Sequence, residues 1–180
     1  YFSIGDRGER ETNPQDITKD GGKIYRLNLD GSIPNDNPFL GKSNAKTAVF
    51  SYGHRNPQGM IIHPKTGQIW EHEHGPRGGD EININSSPDG EIKNYGWGIS
   101  SYGEHYGNEK KDNSKLYKIA PLFKSHKDYG FIEPTKNYTP SIGISELILF
   151  DMLDQKILLA SSLGNNVSEG CLLYTSDAAA

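Results

Sequence analysis

Cysteine is all but missing from this sequence: the single copy, Cys171, lies in the last ten of 180 residues. A disulfide framework needs pairs, so none is available, and thiol chemistry would rest on that one residue. Long apolar runs are missing as well, and with them any segment able to cross a bilayer as a helix. There is no excess of positive charge. A net charge of -4 and an isoelectric point near 5.9 argue against a nucleic-acid protein or a basic membrane-surface module. The first residue is not methionine and no signal peptide follows it. "YFSIGDRG" reads as the inside of a strand running into a turn, so the natural N-terminus is expected upstream.

What the chain does have is turn chemistry. Its 21 Gly, 10 Pro and 10 Tyr, with a hydrophobic content of 33%, favour strands and turns over helices. Tyr1-Phe2-Ser3-Ile4 precedes the turn Gly5-Asp6-Arg7-Gly8. "KIYRLNLDG" (Lys23 to Gly31) alternates in strand fashion and stops at Asp30-Gly31, a hairpin-type signal. "GMIIHPKTGQIWEHEHG" gives two strands around the tight turn Pro64-Lys65-Thr66-Gly67. "DEININ" is a further strand, and "ELILFDMLDQKILLASSLG" reads strand, polar turn, strand. Ser100 to Tyr138 is a polar, Lys- and Tyr-rich excursion. No segment holds a helical period beyond a turn or two. The fold class is therefore all-β, a sandwich, barrel or propeller, with the strand–turn–strand units leaning toward propeller blades.

Three clusters could carry chemistry. His72 and His74 sit two apart, so on a strand they would share a face, and with His54 or His63 could form a nitrogen site for zinc. Asp80-Glu81 offers weaker acid/base chemistry, since adjacent strand residues face opposite ways. The loop Gly75-Pro76-Arg77-Gly78-Gly79 lets backbone approach a ligand closely. Its carbonyls beside carboxylates would suit a hard cation such as calcium, although an ordinary glycine-rich turn stays open. Upstream, Arg55 and Asn56 before Pro57 put a cationic fork and an amide on a rigid turn. That pair suits a planar ligand with carboxylates and carbonyls.

"SYGHRNPQGM", "EHGPRGGDEIN" and "NYGWG", in this order and spacing, resemble the soluble PQQ-dependent sugar dehydrogenases, the glucose/sorbosone dehydrogenase family. The likeness is nearer to its aldose sugar dehydrogenase branch and runs over roughly Tyr1 to Val167. It implies a six-bladed β-propeller, of which residues 1–170 would supply about half the blades, and the cofactors pyrroloquinoline quinone (PQQ) and calcium. By resemblance the PQQ contacts are Arg55, Asn56 and Tyr106. The calcium ligands so implied are Glu81 and Tyr95, together with Gly75 and Pro76. The implied activity is oxidation of an aldose sugar at C1 to its lactone, with electrons passing to an unidentified acceptor, in the periplasm or outside the cell.

The departures carry expectations too. The family's general-base histidine lies upstream of "YFSIGDRG", so no catalytic residue is assigned here and none of the chain's histidines is promoted to that role. Gly164 stands where the family tends to carry a basic PQQ contact. A non-catalytic sugar- or protein-binding propeller is the alternative reading, and a zinc hydrolase built on His72 and His74 is a third. "CLLYTSDAA" matches the translation of a common transposase sequencing adapter, so residues 171–180 read as an artefact tail on a truncated metagenomic fragment. Such a fragment alone is expected to be inactive and poorly stable, with open strand edges.

Overall fold

The computed structural model describes residues 1–85, 90–104, 125–152, 155–163 and 171–175, with backbone only at 151–152, 155–157 and 171–175. Among these described residues eleven strands form three small sheets. The first joins β1 (Phe2–Ile4), β2 (Lys23–Tyr25), β3 (Val49–Tyr52) and β7 (Lys93–Asn94), antiparallel except for the parallel β3–β7 pair. The second orders β4 (Pro57–Ile62), β5 (Ile69–Glu73), β6 (Asp80–Asn85) and β8 (Lys136–Tyr138), all antiparallel. The third places β10 (Gln155–Ser162) between β9 (Ile144–Met152) and β11 (Cys171–Thr175). Among the described residues the only helical segment is a 3-10 turn at Lys127–Tyr129. The all-β expectation holds.

Most of the expected strands form, and one does not extend as far as its pattern suggested. The Pro64–Gly67 turn closes the β4–β5 hairpin: His63 N–H donates to Gln68 O, Gly67 N–H donates to His63 O, and His63 Nδ1 accepts from Lys65 and Thr66 N–H. By contrast "KIYRLNLDG" is a strand only to Tyr25. Leu27 and Leu29 are exposed, so their alternation finds no sheet to cover it. Asp30-Gly31 caps a small loop, closed by Asn28 and Ser32, rather than a hairpin. The backbone of Cys171–Thr175 lies along β10 as an edge strand.

The sheets bury their faces against one another. Ile24 and Phe50 of the first pack on Ile69 of the second, and Trp70 and Ile82 of the second pack on Ile144, Leu147, Leu158 and Ala160 of the third. Because side chains alternate along a strand, this sandwiching sorts the second sheet residue by residue. Trp70, Asp80 and Ile82 turn toward the third sheet, with His72 on their side of the strand. Ile69, Glu71, Glu73, Glu81, Asn83 and Asn85 turn toward the first, and all are buried. A polar ladder inside the protein is the result, and it lies beside the end of β3.

Candidate functional site

After β3 the chain turns at Gly53, whose φ is +78 and where an added Cβ would stand 2.2 Å from Asn94 Oδ1. Only glycine satisfies both conditions. The next residues are held by a buried carboxylate: Glu73 Oε2 accepts from Arg55 N–H at 2.5 Å and from Asn56 N–H at 3.2 Å. Arg55 then reaches across the turn. Its Nη1 donates to the His74 carbonyl at 2.7 Å, and its guanidinium lies 5.5 Å from the Trp97 ring centroid. Trp97 is fixed in turn by donating to Asp6 Oδ2 at 2.7 Å.

The Gly75–Gly79 loop is tied at several points. Gly75 N–H donates to Asp80 Oδ1 at 2.9 Å, Gly79 N–H donates to Tyr138 O at 2.7 Å, and Arg77 and Glu104 exchange backbone bonds. A Cβ on Gly75 would sit 2.2 Å from Gly79 O, so the loop closes this tightly only because the side chain is absent. Arg55, Gly75, Pro76, Glu81, Trp97 and His126 share one narrow cleft with Glu73 at its wall. Among the described residues, neither the Gly75 nor the Pro76 carbonyl accepts a backbone hydrogen bond. No described backbone donor would compete with a cation for either oxygen.

Below the cleft lie the ladder's acids. Glu73 and Glu81 stand directly opposite each other on β5 and β6, and Asn83 Nδ2 donates to both, at 3.2 and 3.4 Å. Burial alone would raise Glu73, yet hydrogen bonding and charge from His54 and the two backbone N–H donors lower it overall. Glu81 is raised, burial outweighing its partner His126, which lies 2.9 Å away. Burial works against a charged His126, but Glu81 and then Glu73 bring its pKa above the ordinary histidine value. His126 Nδ1 meets Ser100 Oγ at 2.8 Å, and the ring also faces the Tyr95 backbone carbonyl. Glu71 is pushed well above the usual carboxylate range, first by burial and then by the Glu73 charge.

The predicted residues therefore meet in part. Arg55, Gly75, Pro76 and Glu81 line one cleft. Asn56 does not: its carboxamide oxygen is turned to Gly5, 2.8 Å from where a Cβ would stand. The Tyr95 hydroxyl is spent on the Ile84 carbonyl at 3.0 Å, leaving only its backbone oxygen near Glu81 through His126. Tyr106 and Gly164 lie outside the described residues. A histidine site for zinc does not assemble. His72 is across β5 from His54, sits over Gly59, and is lowered to about 4 by burial first. His63 stacks near Trp70 at 6.4 Å. Sequence reasoning missed Glu71, Glu73, Trp97 and His126. The first two were legible as the acids alternating with histidines in "EHEH"; His126, 45 residues from Glu81, carried no local signal.

Three interleaved sheets, with a cleft where one blade's turn meets the next blade's glycine loop, define a partial propeller. The chain belongs to the glucose/sorbosone dehydrogenase family, whose model matches residues 1–164 and so ends before the 171–180 tail. It is 44% identical over 115 residues to aldose sugar dehydrogenase YliI of Escherichia coli K12, covering 64% of this chain and 30% of that protein. It is 35% identical over 126 residues to quinoprotein glucose dehydrogenase B of Acinetobacter calcoaceticus, covering 59% of this chain and 25% of that one. The apo structure of the soluble E. coli aldose sugar dehydrogenase superposes with a TM-score of 0.71 at 29% identity, over 97% of this chain and 49% of that chain. The PQQ-bound aldose sugar dehydrogenase of Streptomyces coelicolor gives 0.55 at 25% identity, over 94% and 43%. The chain thus spans under a third of these curated relatives and about half of the solved E. coli chain.

Proposed function

We propose that this chain is the cofactor-binding half of a PQQ- and calcium-dependent dehydrogenase that oxidises aldose sugars at C1 to lactones. The observation that carries the reading is the cleft itself: a rigid arginine on an aromatic wall shares it with Gly75 and Pro76, whose carbonyls take no backbone hydrogen bond among the described residues, and with a buried carboxylate. A planar acidic quinone matches the cationic fork, and a hard cation matches the oxygen set of Gly75, Pro76 and Glu81. The donor chemistry therefore fits both groups, with Tyr95 limited to its backbone carbonyl. When bound, PQQ would supply the two-electron acceptor for the hydride leaving C1.

The chain's own residues would bind and orient. Arg55 would hold developing negative charge on the quinone oxygens, and it is preorganised because the His74 carbonyl and the Trp97 face already fix its plane. Glu73 would keep the turn in place from behind by accepting the Arg55 and Asn56 N–H groups. Asn56 would join the quinone only after turning from Gly5, and Tyr106 is carried as a contact by resemblance alone. The base that takes the sugar hydroxyl proton is expected upstream of Tyr1. Among the described residues no helix is long and apolar enough to cross a membrane. Periplasmic or extracellular placement belongs to the same proposal.

The test is reconstitution of the complete protein carrying this chain with PQQ and calcium, followed by dye reduction with several aldoses. Turnover that requires both additions is the expected result. Quinone binding without turnover, despite an intact upstream histidine, would favour the non-catalytic propeller. Arg55→Ala should lower PQQ affinity or turnover at least tenfold, on the scale of one lost charge-stabilising donor. Kinetics and PQQ titrations equal to wild type would remove Arg55 from the site.

A further inference from the structure

We propose that His54, Glu71 and Glu73 form a second cation site, adjoining the glycine-loop cleft through Glu73, that takes a small divalent ion of the zinc type. His54 Nδ1 lies 3.4 Å from Glu73 Oε1 and 3.6 Å from Glu71 Oε1, and the three donor atoms fall within 4.8 Å of one another. For metal–ligand bonds near 2.1 Å, tetrahedral geometry places neighbouring ligands about 3.4 Å apart. Both carboxylates already stand near that spacing from His54 Nδ1.

The surrounding contacts point to an occupant. Among the described residues neither Glu71 oxygen has a well-aligned hydrogen-bond partner, the Asn83 amide being the group near enough to favour its charged form, and Asn83 Oδ1 has none, although all are fully buried. Asn83 is anchored in the cluster, since its nitrogen bonds Glu73, so its free oxygen is available as a further donor. A carboxyl this far from water keeps its proton or takes a positive partner, and a divalent ion would balance both acids. Ser51 Oγ, itself held by Asn85, sits 2.8 Å from His54 Nε2 and fixes the ring so that Nδ1 faces the acids. Calcium is the poorer fit, because it asks for six to eight oxygens and this buried pocket offers an imidazole and few oxygens. The ion would join the turn after β3 to strand β5, and so hold the carboxylate that caps Arg55 and Asn56.

The test uses the complete protein carrying this chain, stripped with a chelator and titrated with zinc and with cobalt. Wild type should bind one equivalent of cobalt with visible ligand-field absorption and give it up to zinc. Glu71→Gln and His54→Gln, with circular dichroism equal to wild type, should weaken this binding by at least roughly tenfold, whereas Glu81→Gln should retain it. No cobalt spectrum in folded wild type overturns the proposal whatever the variants do. So does binding lost in Glu81→Gln but kept in Glu71→Gln, which would put the ion in the cleft.

Discussion

Replacing Asp80 with asparagine should cost more stability than any other near-isosteric change in the second sheet. The Asp80 carboxylate is 1% exposed and accepts four bonds. Oδ1 takes Gly75 N–H at 2.9 Å and Ser141 Oγ–H at 2.8 Å; Oδ2 takes Gly143 N–H at 2.8 Å and Ile144 N–H at 3.1 Å. An asparagine NH2 must replace one of these oxygens. In place of Oδ2 it opposes two backbone N–H groups; in place of Oδ1 it opposes only Gly75 N–H, because the Ser141 hydroxyl can turn to accept from it. Hydrogen bonds to a charged group contribute about 1.5–3 kcal/mol each and neutral ones about 1, so one bond lost and three weakened should cost about 3 kcal/mol or more. In a protein of this size that corresponds to a melting temperature lower by roughly 10 °C. Urea unfolding of the complete protein should show a lower midpoint at unchanged m-value. Amide exchange should quicken first at Gly75, Gly143 and Ile144. A loss below about 1 kcal/mol, with those amides still protected, would refute the reasoning, because it would mean the four donors have other partners.

Two other perturbations probe separate parts of the structure. Lys23 is fully buried, donates to the carbonyls of Asn13 and Gly21 at 2.6 Å and of Pro14 at 3.3 Å, and has its pKa lowered by burial from 10.5 to about 8. Between pH 8 and 10.5 the unfolded chain binds the proton that the folded one has lost, so this residue's contribution to stability rises with pH across that window. The rise should reach about 3 kcal/mol. Subtracting a Lys23→Met pH profile from wild type should isolate it, and a flat difference would exclude it. Glu81→Gln should abolish most of the thermal protection given by calcium, read as the melting shift with and without the ion. Equal protection of both forms would remove Glu81 from the calcium site.

Local signals in the sequence were read correctly where a single turn closes a structure, as at Pro64–Gly67, whose hydrogen bonds all come from neighbours. Alternation proved a weaker guide. Ile24 and Leu27–Leu29 carry the same pattern, but only Ile24 meets a covering sheet, and the covering sheet is set by residues far along the chain. The site divides in the same way. Arg55 and the Gly75-Pro76 loop were visible through the motifs that carry the family resemblance, since an arginine beside a turn and a glycine-rich loop are ordinary features on their own. In "EHEH" the eye goes to the histidines, yet strand geometry puts acids and histidines on opposite faces. Which face mattered was decided by Ser51 and His54 of the neighbouring sheet.

The parallel pairing of β7 with β3 has a consequence for how such a protein can be divided or lengthened. After β6 the chain leaves the second sheet, contributes Lys93–Asn94 to the first, and only then returns as β8 beside β6. No cut between Asn85 and Lys136 separates one sheet's sequence from the next. A gene duplication or deletion of one contiguous sheet-length segment would leave one partner short of a strand and the other with a surplus. Blades laced in this way cannot be gained or lost one at a time, and related chains should change in loop length far more readily than in blade number.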